Sequence, residues 1–214
     1  MRSKIKTVTV ELLIRHGYRG LRFGDIADRL DITRANVHYH FGTKHKLVEE
    51  VTEDYMREAM DGMRGIWSDE RASLEDKIRN TMEFNRARYR KFNQRGTGAK
   101  PWSLITRMRL ERDLLTARTN ARMRDFVAGL GTLVTTAIEL AKDKGELRPD
   151  APADDIALQL VFIINSAGSV TQDSGSFDEL ERLYLAFARV ISHAYGRRPA
   201  LTPVRRRSRL ANAS

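Results

Sequence analysis

The chain reads as all-α, with an N-terminal helix-turn-helix domain of three helices and a larger helical domain behind it. Three observations predict this. Apolar residues recur at spacings of three and four along most of the chain from Ile5 to Tyr195, the period of a helix with one buried stripe. The stretch FGDIADRLDITRANVHYHFGTKHKLV, from Phe23 to Val48, interrupts that rhythm at Asp31 and then resumes it, as two short helices joined by a tight turn would. The larger interruptions, GTGAKP at Gly96 and GELRPDAPADD at Gly145, carry the Gly, Pro and Asp of loops.

The elements follow in order. Ile5, Val8, Leu12 and Leu13 share one face of a first helix that stops at Gly17. Ile26, Ala27 and Leu30 form the stripe of a second, ending before Asp31, while Ile32 plugs the turn. Thr33 supplies a side-chain oxygen to the free N–H groups of a third helix, Arg34 to His40, in which Val37 and Phe41 point inward. Lys44 opens a longer helix carrying Leu47, Val51, Tyr55 and Ala59, weakened at its end by Gly62 and Gly65. Leu74, Ile78, Met82 and Asn85 mark a helix toward Phe92, and further helices are expected over Trp102–Leu115, Thr119–Lys144, Asp154–Thr171 and Phe177–Tyr195. The implied domains are residues 1–60 and 61–195, followed by a basic tail, 196–214, expected to be disordered.

Charge is distributed unevenly. Of a net +10, residues 1–47 hold a surplus of six and the last nineteen residues add six Arg with no acid, so the 148 residues between carry about two negative charges net. Four of the five histidines also lie in the first 47 residues. There is no cysteine, which excludes disulfides, thiolate metal sites and cysteine nucleophiles. No apolar run approaches the length of a bilayer span and the N-terminus lacks a signal-like segment, so a soluble, cytoplasmic protein with no membrane partner is expected.

With Val37 and Phe41 inward, the outer face of the third helix carries nucleic-acid chemistry. Arg34 can grip a guanine edge with two hydrogen bonds, Asn36 can do the same for adenine, and Ala35 is small enough for close approach to a thymine methyl. Thr33, Arg34, Ala35 and Asn36 are therefore the candidate base readers. His38, Tyr39 and His40 offer donors for phosphate oxygens, and Lys44 stands at a helix N-terminus that favours anions. His38, His40 and His45 do not make a metal set, because residues two apart on a helix diverge and no carboxylate lies at a helpful spacing. GTGAKP is no phosphate loop either, since Pro101 follows Lys100 where Ser or Thr would open a helix. No metal, cofactor or catalytic residue is expected.

These residues resemble the TetR-type (TetR/AcrR-like) transcriptional regulators, whose motif runs roughly A-x-x-x-G-V-S-x-G-x-L-Y-x-H-F-x-S-K-x-x-L. Ala27, Ile32, Thr33, Val37, His40, Phe41, Thr43, Lys44 and Leu47 stand here in that order and spacing. Asp31, Ala35 and His38 replace the motif's two glycines and its tyrosine, and Arg22 and Phe23 stand where Ser or Thr often opens the first motif helix. By position the resemblance puts base contacts on Thr33, Arg34, Ala35 and Asn36 and phosphate contacts on His38, Tyr39, His40 and Lys44. It further implies a homodimer on a palindromic double-stranded operator, paired through the last two helices. The expected dimer contacts are Ile163, Ala167, Gly168, Leu180, Tyr184, Phe187 and Ile191, with small residues near Ala167 permitting close approach.

The central helices concentrate Met60, Met63, Trp67, Met82, Phe84, Phe92, Trp102, Met108, Met123 and Phe126. As a group they suit a pocket for a largely apolar small-molecule effector, and individually each also suits an ordinary core. Asn85, Arg88, Thr106 and Arg109 are the polar residues nearby that would orient a ligand, and solvent exposure would account for each equally well. The expected function is a ligand-responsive regulator, released from its operator when the effector binds. Two other classes compete: a nonspecific architectural DNA binder, which would explain the basic ends without a pocket, and a small-molecule enzyme, for which no nucleophile, acid and base stand at a recognisable spacing.

Overall fold

The computed structural model describes residues 1–94 and 100–197. The described residues form α1 (Arg2–Gly20), α2 (Phe23–Leu30), α3 (Arg34–Phe41), α4 (Lys44–Trp67), α5 (Leu74–Phe92), α6 (Leu104–Leu110), α7 (Ala117–Asp143), α8 (Ala153–Ser174) and α9 (Asp178–Tyr195). The all-α expectation is borne out. Most of GTGAKP and nearly all of the Arg-rich tail lie outside the described residues.

Side-chain caps set many of the helix starts. Thr33, Thr43, Ser73, Ser103 and Thr116 each accept the N–H of the residue three ahead, satisfying a donor that the first helical turn leaves free. Ser73 and Asp76 complete a reciprocal capping box. Asp31 closes α2 in the left-handed region, φ 51° and ψ 50°, a conformation a short polar side chain tolerates better than most.

Three expected boundaries differ. α4 runs straight through Gly62 and Gly65; at Gly62 a Cβ would collide with the ring of Phe84, so that glycine lets α5 pack close instead of ending α4. The helix expected over Trp102–Leu115 is confined to α6 and a short 3-10 turn at Arg112–Leu114. α1 continues to Gly20, but Gly17 within it leaves helical geometry, φ 71° and ψ −174°, so the expected stop is a kink.

Two apolar clusters organise the molecule. Ile5, Leu13, Leu21, Ile26, Val37 and Phe41 bind α1–α3 to the first half of α4, and this cluster also takes in Leu104, Met108, Met123 and Phe126 from α6 and α7. The second cluster lies among α4, α5, α7, α8 and α9, centred on Leu130, Ile138, Leu160, Leu180 and Tyr184. Lys77 is buried at its edge, and its ammonium donates to the carbonyls of Trp67 and Asp69 at 2.8 and 2.7 Å. It thus closes the C-terminal end of α4 from α5. Among the described residues α8 alone has the length and mean hydropathy to cross a bilayer, and half of that window is buried inside the protein.

The expected dimer residues need correction. Ala167, Gly168, Leu180, Tyr184, Phe187 and Ile191 are buried within the protomer, and Ile163 is partly buried. A helix stripe at helical spacing serves the nearest core first, and here that core is the protomer's own. The large apolar side chains that α8 and α9 leave outside are Leu158, Phe162, Leu183 and Val190, with Phe162 74% and Leu158 66% exposed.

Candidate nucleic-acid interface and central cavities

α3 presents the predicted reading face because Val37 and Phe41 anchor its other side in the N-terminal core. Thr33 caps it, Oγ1 accepting the Asn36 N–H at 3.2 Å. Thr33, Arg34 and Ala35 are exposed, and no hydrogen bond or ion pair holds Arg34 among the described residues, so its guanidinium edge is open to a partner. Asn36 is placed differently. It is only partly exposed, and its Oδ1 is shut off from solvent without a hydrogen-bond partner. A bidentate adenine contact needs that oxygen as acceptor, so the side chain must first rotate outward.

The expected phosphate residues cluster at the other end of α3. Tyr39 is 85% exposed, the most open large hydrophobic side chain among the described residues. His38 packs edge-on to Phe23 with 4.6 Å between ring centroids, its Nδ1 lying 3.0 Å from the Gly42 carbonyl. A carbonyl only accepts, so in that contact Nδ1 is the donor. His40 is partly buried beside Tyr39 and Phe41. Lys44 lies over the Tyr18 ring, 4.5 Å from its centroid. Burial pushes its ammonium below the ordinary lysine value, with Glu111 opposing and Arg22 adding to the shift. Tyr18 in turn meets the His45 ring through its hydroxyl at 3.0 Å.

Sequence reasoning missed the residues that hold this face in place. Arg2 donates to the His40 carbonyl and, at 2.6 Å, to Glu50, and it stacks on Phe41 at 4.2 Å. Lys6 pairs with Asp54 at 2.7 Å. At the kink of α1 the Tyr18 N–H donates to the Glu111 carboxylate at 2.5 Å, where any side chain at position 17 would collide with that same carboxylate. These partners are 38 to 93 residues apart in sequence, and no spacing rule links them.

The apolar residues grouped by composition divide among several places. Met63, Phe84, Trp102 and Phe126 meet around a small inner cavity of about 40 Å³, together with Asn85, Thr106 and Arg88. Trp67 and Met82 belong to the packed second cluster, and Met108 and Met123 to the first, so none of these four lines that cavity. Met60 faces a surface groove between α4 and α7. Phe92 and Trp102 line a cleft of about 380 Å³ among α1, α4 and α5. Asn85 and Thr106 are buried. The Asn85 amide donates to the Tyr184 hydroxyl at 2.9 Å. Arg109 turns away and binds the Asn165 carbonyl and side chain at 3.0 and 2.7 Å.

Comparison with known proteins agrees with this architecture. Residues 5–51 match the family of bacterial regulatory proteins, tetR family. No curated protein matches the chain in sequence. Among solved structures, Escherichia coli NemR in its reduced form is 18% identical, with 94% of this chain and 98% of that one covered at a TM-score of 0.74. A TetR-family transcriptional regulator from Agrobacterium tumefaciens is also 18% identical, over 89% and 96%, at 0.77. A protein of Saccharomonospora viridis, solved in complex with choline, is 21% identical over 92% and 98%, at 0.70. At these identities the structural likeness speaks for the fold, a helix-turn-helix head on a helical body. The family's own sequence pattern is matched across that head, so residues 5–51 are similar to the N-terminal domain of the tetR family of bacterial regulatory proteins.

Proposed function

We propose that this chain is a TetR-family regulator of transcription, a homodimeric repressor acting in the cytoplasm on a palindromic operator and released by a small-molecule effector. The observation that carries the DNA reading is the outer face of α3, where Arg34 stands exposed and unpaired beside the capping Thr33 and Ala35, with Tyr39 and Lys44 flanking it. In this reading Thr33, Arg34 and Ala35 meet base edges, with Asn36 joining them after rotation. His38, Tyr39, His40 and Lys44 grip phosphates. One such helix makes too few contacts for a specific site, and two placed about 34–36 Å apart read a palindrome. The exposed Leu158, Phe162, Leu183 and Val190 support pairing through α8 and α9. The choline bound by the Saccharomonospora viridis relative supports a body that admits small molecules. An effector acts only through a difference in affinity between the DNA-fitting conformation and another. No catalytic role is assigned.

The test is a gel-shift titration of the full chain with duplex from the region upstream of its own gene, against random duplex at the same salt. A preference of about a thousandfold or more is expected for a specific regulator. Equal affinity for both duplexes would overturn the reading in favour of an architectural binder.

A further inference from the structure

The cleft among α1, α4 and α5 contains a cation without a counter-charge. The Arg88 guanidinium stacks over the Tyr55 ring at 4.4 Å and the Phe84 ring at 5.2 Å. It is partly buried, and among the described residues no carboxylate or carbonyl accepts from it. Two aromatic rings attract its charge but leave its N–H donors unused. Of the other charged groups lining the cleft, Lys6 pairs with Asp54 and Glu50, Asp54 pairs also with Arg57, and Glu11 pairs with Arg29. Lys91 and Glu58, both exposed, have no ion pair among the described residues. The unpaired charge therefore sums to one positive, with Arg88 the innermost. Apolar walls complete the space: Val10 and Ile14 from α1, Val51 from α4, Phe92 from α5, and Trp102. A volume of about 380 Å³ falls in the range of small-molecule clefts.

We infer that this cleft is a binding site for a small carboxylate with an aromatic or branched apolar body, its anion held by the edge of Arg88. A carboxylate matches a guanidinium edge with two parallel hydrogen bonds, stronger than any neutral acceptor offers. The site lies outside the inner cavity, and Ser3, Lys6, Thr7 and Val10 of the DNA-binding head form one wall. A ligand there touches α1 directly.

The experiment uses the full chain without DNA, so that it stands or falls separately from the repressor reading. Calorimetric titrations with 2-naphthoate, 2-naphthamide and trimethylphenylammonium compare an anion, its neutral counterpart and a cation. The carboxylate is expected to bind at least tenfold more tightly than the other two. Arg88→Gln should remove that advantage while leaving the thermal melt close to wild type, and Arg88→Lys should restore part of it. Because Arg88 also borders the inner cavity, Val10→Trp, which fills the cleft from α1, is the locating variant and should abolish binding. No binding of 2-naphthoate, equal affinity for its amide, an unchanged preference in Arg88→Gln, or undiminished binding in Val10→Trp would each overturn the assignment.

Discussion

Arg34 and Lys44 stand 10 residues apart in sequence, at the starts of α3 and α4, and their surroundings suit them to different work. Arg34 is free at the start of α3, where its two-pronged edge can meet a base. Lys44 rests on Tyr18 at the start of α4, where in the proposed reading its point charge would meet a phosphate. Arg34→Ala should therefore relax discrimination at particular operator positions, each worth about 1–3 kcal/mol. Lys44→Ala should weaken all duplexes alike and reduce the slope of log K against log salt by about one. Titrating both variants against operator and single-base mutants at several salt concentrations separates these outcomes; a uniform loss from Arg34→Ala would contradict its role. At this scale the sequence was informative wherever a local rule applied. Thr33 as cap and Val37 as anchor follow from spacing alone, and both stand as expected. The covered oxygen of Asn36 does not follow from spacing, because three-residue periodicity gives a side chain's direction but not what closes over it.

The same division appears among the elements. Apolar periods, with Thr33 as the one cap read in advance, made most helix starts legible, since they depend on neighbours within four residues. Close approach was not legible, as Gly62 shows: a helix-weakening residue by propensity, it is where the Phe84 ring crosses α4. Tyr184 is the clearest case of an inner face mistaken for an outer one. Fully buried, it joins α9 to α5 by accepting from Asn85 at 2.9 Å, and burial raises its phenol above the ordinary tyrosine value despite that hydrogen bond. Tyr184→Phe leaves the Asn85 amide unpaired and should cost about 1–2 kcal/mol in urea unfolding near neutral pH. A raised folded value means stability that is complete below the unfolded value of 10.0 and declines as pH climbs above it. The gap between wild type and Tyr184→Phe should accordingly narrow above about pH 10. A gap that widened there would show the phenol ionising more readily in the folded protein than outside it.

For the molecule as a whole, the uneven charge was the feature most readable in advance: a basic head, a nearly neutral body and a basic end. The outward faces of α8 and α9 were not, because wide stripes on two adjacent helices have an inner and an outer edge and composition does not say which is which. With Phe162 and Leu158 outside, Phe162→Glu should convert a dimer to a monomer in sedimentation velocity and lower operator affinity, while Tyr184→Phe should sediment as wild type. A Phe162→Glu variant that remained dimeric would move the interface elsewhere. The clasp between Glu111 and the kink at Gly17 bears on how such a dimer moves. A 2.5 Å hydrogen bond has little slack, so the segment after α6 and the bend in α1 travel together or part company. Swinging the two reading heads to a new separation therefore means either carrying that segment along or letting go of the Tyr18 amide, and the cheaper of those routes decides which part of the body feels the DNA first.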